Sequence, residues 1–116
     1  MPRKQTFAGE LMQFERPNWD PLIDLVGVHL VRWFMWMSEF TVDGTPAHAY
    51  KHVATRRYLH ISEDGRLFAY VPRYRYREIG REEALEEVFF DWEDTLPEPD
   101  AAALAALERL RRKAAS

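Results

Sequence analysis

Glu39, His48 and His60 are the residues of this chain best suited to chemistry, provided that the backbone brings them together. Two imidazoles and a carboxylate can ligate a divalent metal, the donor set of a facial triad. Without metal, Glu39 can orient His48 as a general base with His60 as the acid. The third use of such residues is a polar row bonded only to itself and to water. A second group, Tyr50, His52, Arg56, Arg57, Tyr58 and Tyr70, is the type that binds rather than reacts. Arginine forks suit phosphates and carboxylates, and tyrosine rings stack on bases.

These residues fall in Glu39–Val71, which reads as four short antiparallel strands. Asp43-Gly44 is a two-residue type I′ turn, pairing Phe40 with Ala47 and Glu39 with His48. Glu63-Asp64-Gly65 is a three-residue loop that pairs His60 with Phe68 and Tyr58 with Tyr70. With Val53-Ala54-Thr55 as the middle loop, Tyr50 faces Tyr58 and His48 faces His60. One face then carries Phe40, Val42, Ala47, Ala49, Leu59, Ile61, Leu67, Ala69 and Val71, an aliphatic core. The other carries the rows Glu39, His48, His60, Phe68 and Tyr50, Tyr58, Tyr70. A one-residue slip would exchange the faces.

Upstream, Asp20-Pro21 starts a helix expected to run from Pro21 to Met37 or Ser38. Its residues are apolar nearly all round, so it must be buried on more than one side, and a homodimer through helix 21–38 is expected. Gly9–Phe14 reads as a strand. After Pro72, Arg73–Ile79 alternates as an edge strand or loop. A second amphipathic helix, Arg81 to about Trp92, carries the stripe Leu85, Val88, Phe89, Trp92. Leu96–Pro99 reads as a linker, and Asp100 caps a C-terminal helix that reads as peripheral. The expectation is an α+β fold: a long apolar helix on a four-stranded meander, a second helix and a C-terminal helix. It forms a single domain over 1–95, with 96–116 as linker and tail.

Composition narrows the function. There is no cysteine, which excludes disulfides and thiolate metal sites. No glycine-rich phosphate loop or nucleophile elbow is present, so no cofactor is expected. The apolar run Leu22–Met37 is short for a membrane span and contains Asp24, His29 and Arg32. No basic-then-apolar leader opens the chain, and a cytoplasmic protein without a membrane partner is expected. Seven bases from Lys51 to Arg77 meet two acids, whereas Glu78 to Asp100 holds ten acids against Arg81. Either the two segments neutralise each other or the first forms a basic patch. The leading expectation is a binding protein holding nucleic acid or a phosphorylated ligand on the His/Tyr/Arg sheet face. The alternatives are a homodimeric interaction protein and a small enzyme using Glu39, His48 and His60.

Overall fold

The computed structural model describes residues 17–73, 75–92 and 100–115. Five strands form one antiparallel sheet in sequence order: β1 (Phe34–Val42), β2 (Thr45–His52), β3 (Tyr58–Ser62), β4 (Leu67–Val71) and β5 (Arg75–Ile79). Two short helices, α1 (Asp20–Val26) and α2 (Val28–Val31), precede it, and α3 (Arg81–Val88) and α4 (Ala101–Ala115) follow. The fold is α+β as expected, with a fifth strand where Arg75–Ile79 adds to β4 through Tyr70↔Tyr76 and Val71↔Arg75.

The long helix does not form. Gly27, at φ +85° and ψ 169°, ends α1, and the chain restarts as α2 and leaves helical geometry after Val31. Glycine reaches that backbone region without the steric penalty a Cβ brings. From Phe34 the apolar residues follow period two instead: Phe34 is buried, Met35 exposed, Trp36 half-buried and Met37 exposed. The apolar circumference expected of one helix is therefore two elements with different periods joined end to end. Leu22, Val26 and Leu30 are spent on this protein's own core, which removes the helical surface expected to dimerise.

The described helices pack on one face of the sheet. There Phe34, Tyr50, Leu59, Ile61 and Leu67 meet Leu22, Val26, Leu30, Ala84, Leu85, Val88, Phe89 and Trp92. The C-terminal helix is no peripheral tail, since Ala103, Ala106 and Leu107 are buried in the same core. Its start is capped as expected, the Asp100 carboxylate accepting from the Ala102 and Ala103 N–H groups at 3.1 and 3.2 Å. The Gly9–Phe14 strand and the expected 95/96 boundary lie outside the described residues.

The first hairpin has the expected register throughout, whereas the second keeps His60 opposite Phe68 but lacks the expected Tyr58–Tyr70 pair. Asp43 and Gly44 take φ +52° and +80°, pairing Val42 with Thr45, Phe40 with Ala47 and Glu39 with His48. Gly65 at φ +91° closes the second, pairing His60 with Phe68. The connection between them differs by one residue. His52 N–H donates to the Arg57 carbonyl at 2.8 Å, so four residues form the loop, and Arg56 takes the left-handed conformation at φ +67°. As a result Tyr50 pairs with Leu59, His48 with Ile61 and Ala49 with His60. That slip turns one hairpin over relative to the other. Leu59, Ile61 and Leu67 share the helix-covered face with His48, Tyr50 and His52. Phe40, Ala47 and Ala49 share the opposite face with Tyr58, His60, Phe68, Tyr70 and Tyr76.

Candidate ligand-binding site

The register separates the residues first considered for catalysis. Glu39 lies opposite His48, but the next residue in that row is Ile61, and His60 projects from the other side of the sheet. His48 instead forms a closed network. The Trp36 indole Nε1–H donates to His48 Nδ1 at 3.0 Å, and His48 Nε2 lies 2.8 Å from Glu63 Oε2. An indole can only donate, so Nδ1 must accept and the proton of the neutral ring sits on Nε2, donated to Glu63. Asn18 donates to the same carboxylate oxygen at 3.2 Å. The His48 bond, and then the Asn18 bond, hold the Glu63 carboxyl below its usual range. Among the described residues no group of three His, Asp or Glu could hold a metal ion.

Tyr50 and His52, expected on a ligand surface, are fully buried under the helices. The Tyr50 hydroxyl donates to the Asn18 carbonyl at 2.5 Å, and burial, reinforced by Glu63 and Asp20, pushes its ionisation above the ordinary phenol range. His52 organises the β2–β3 loop. Its Nδ1 accepts from the Ala54 and Thr55 N–H groups at 3.1 and 3.2 Å, while its ring packs among Trp33, Phe34, Phe89 and Trp92. Burial pushes the His52 imidazole down to about 4.

On the opposite face the aromatic residues gather around His60. Its ring stacks on Tyr58 at 5.6 Å and meets Tyr76 and Phe40 edge-on at 5.2 and 5.8 Å. Tyr76 in turn stacks on Phe40 at 4.3 Å and meets Tyr70 at 5.3 Å. Burial lowers the His60 imidazole to about 4, opposed in part by a hydrogen bond to the Phe68 backbone, so the ring is neutral at pH 7. Tyr58 and Tyr70 are 40% and 47% exposed and form the accessible rim.

A cleft opens here because β3 and β4 part. Their ladder consists of His60↔Phe68 and Ile61↔Leu67, closed by Ser62 N–H to the Arg66 carbonyl, and does not continue toward Tyr58. The resulting cavity of about 580 Å³ is lined by Tyr58, His60, Phe68, Tyr70 and Tyr76, with Ala84 and Glu87 of α3 behind them. A volume of this size suits a small organic ligand. Sequence reasoning left Tyr76, which lines the cleft, and Phe40, which stacks on Tyr76, outside its site residues. Phe40 was placed on the core face by the slipped register, and the Arg-Tyr alternation of Arg73–Arg77 held the only signal for Tyr76.

Three of the seven bases of the expected patch, Arg57, Arg66 and Arg77, are paired with acids. Arg57 Nε lies 3.2 Å from Glu87, and its Nη1 donates to the Phe90 carbonyl at 2.9 Å. Arg66 pairs with Asp64 at 3.2 Å and also approaches Asp43 and Glu78. Arg77 pairs with Glu83 at 2.9 Å. Arg56 is exposed in its loop, and Lys51 Nζ sits 5.8 Å from the Tyr58 ring centre. No described helix is long and apolar enough to cross a membrane. No family model, no curated protein and no solved structure matches the chain.

Proposed function

We propose that this protein is a binding module that takes a small ligand with a planar, uncharged ring into the cleft between β3 and β4. The observation that carries this reading is the cleft itself: about 580 Å³ walled by three tyrosines, a phenylalanine and a neutral imidazole. Such walls supply stacking and edge-to-face contacts, each worth roughly 0.5–1.5 kcal/mol beyond area burial. The charged groups at the cleft, Arg57 and Glu87, are joined to each other, so a ligand gains little from carrying charge there.

The nucleic-acid or phosphorylated-ligand reading is supported by Lys51 beside the exposed Tyr58 ring and by Arg56, exposed in the neighbouring loop. It differs in its salt dependence, because phosphate binding releases counterions and weakens steeply with salt. Calorimetric titration with adenosine, adenosine 5′-monophosphate and oligo(dT) at about 50 and 200 mM salt separates the two. Ring recognition predicts that adenosine binds, that the added phosphate changes affinity less than about threefold, and that Tyr58→Ala weakens both ligands. Binding of the phosphate-bearing ligands alone, lost at the higher salt, would refute it. The acid–base reading of Glu39, His48 and His60 has no geometric support, since the three do not converge.

A further inference from the structure

Strand β3 presents its backbone polar groups alternately to its two neighbours. Ser62 N–H donates to Arg66 of the β4 hairpin, while Glu63 N–H donates across to Pro46 on the β2 side. Counting back by twos, Ile61 and Leu59 face β2, and His60 and Tyr58 face β4. His60 finds Phe68 there. Tyr58, the next residue in the same sense, has no ladder partner, because the strands have parted and the cleft occupies the space. Its N–H and C=O therefore point side by side toward the cavity that Tyr58, His60, Phe68, Tyr70 and Tyr76 help to line. A ligand that reaches them can supply the two hydrogen bonds the ladder does not.

Resting on the ring-binding reading above, we infer that the cleft selects rings bearing a cis-amide edge, N–H beside C=O, as in lactams, uracil and guanine. Such an edge returns both hydrogen bonds that a neighbouring strand would have made to Tyr58. The ring faces meanwhile lie against the aromatic walls. An extended peptide satisfies the same groups, but this cleft is closed at one end where His60 pairs with Phe68 and backed by Ala84 and Glu87 of α3. That shape admits a compact ring and stops a continuing chain. With Arg57 and Glu87 engaged with each other, no charge is required of the ligand.

The test follows backbone amide resonances of the full chain by two-dimensional NMR during titration with uracil, 1,3-dimethyluracil, toluene and inorganic phosphate. Uracil is expected to move the Tyr58 amide downfield, with smaller shifts at His60 and Phe68. Dimethyluracil, which keeps the ring and carbonyls but loses both N–H donors, is expected to bind at least tenfold more weakly, as is toluene. Equal binding of uracil, dimethyluracil and toluene at the cleft overturns the amide-edge inference and leaves the ring-binding reading standing. Uracil shifts confined to residues away from Tyr58 and His60 also overturn it. If none of the three rings perturbs the cleft, both readings fall, and shifts produced by phosphate alone have the same consequence.

Discussion

Acid should unfold this protein through His52 and His60, and the size of the effect follows from their burial. Both rings are buried, and both are lowered from 6.5 to about 4. Unfolding returns each to solvent, where it takes up a proton below about pH 6.5. The unfolded state thus binds more protons between pH 6.5 and pH 4. The stabilisation is complete above 6.5 and is lost as pH falls toward 4. At 1.36 kcal/mol per pH unit, each histidine contributes about 3 kcal/mol to that loss, a large share of a typical domain's stability. The assay is denaturant unfolding followed by tryptophan fluorescence at intervals from pH 7.5 to 4.5. Carboxylates add their own dependence at the acid end, so the informative comparison is with His60→Phe. That substitution keeps a ring among Phe40, Tyr58 and Tyr76 and removes the proton site. Its stability should fall by about 3 kcal/mol less than wild type over the same range, on the same arithmetic. An unchanged pH dependence in His60→Phe would mean that His60 is solvated and would remove the neutral wall of the cleft.

Other perturbations probe the frame around the site. His48→Ala should destabilise by about 2–4 kcal/mol in urea titration, because it opens a cavity and strands the Trp36 indole N–H. Glu63→Gln, at a half-exposed position, should cost less than about 1 kcal/mol in the same titration. Gly27→Ala should lower stability by about 1–3 kcal/mol from backbone strain at φ +85°, whereas Gly80→Ala should change thermal stability by less than about 0.5 kcal/mol. Arg57→Ala removes a pair that is largely exposed, 37% on one side and 65% on the other, and should leave stability within about 1 kcal/mol by chemical denaturation.

Each hairpin was legible because its turn chemistry is local. Asp43-Gly44 and Gly65 adopt positive φ where such residues do so readily, and the partners they set are the observed ones except Tyr58 and Tyr70, where the second ladder has ended. The relation between the hairpins was not legible, because the β2–β3 loop places Arg56, a residue with no special claim to it, in the left-handed region. One residue of error there carried His60 from the face of His48 to the face of Ala49. It also hid the reason three polar aromatic residues can lie in the core. His48, Tyr50 and His52 each find hydrogen-bond partners supplied by Trp36, Glu63, Asn18 or the loop backbone, which no local pattern announces. The helix beginning at Asp20 was legible from its aspartate and proline, although Asp20 is its first residue and caps nothing, and its end was obscured. Trp33 to Met37 is apolar enough for either period, and Gly27 acts as a break that a helical reading tolerates. Arg57, Tyr58 and Tyr70, expected on a ligand-binding surface, are among the residues that line the cleft. Of these, Arg57 is held by Glu87, a partner 30 residues away in sequence, and that pairing shifts the expected ligand from phosphate toward an uncharged ring.

The most direct test of a ring-binding cleft is a crystal structure determined with saturating adenosine. The expected result is a base seated between β3 and β4, its plane against Tyr58 or Tyr76. A base bound elsewhere, or a cleft closed by β4 zipping onto β3 through Tyr58, would contradict it.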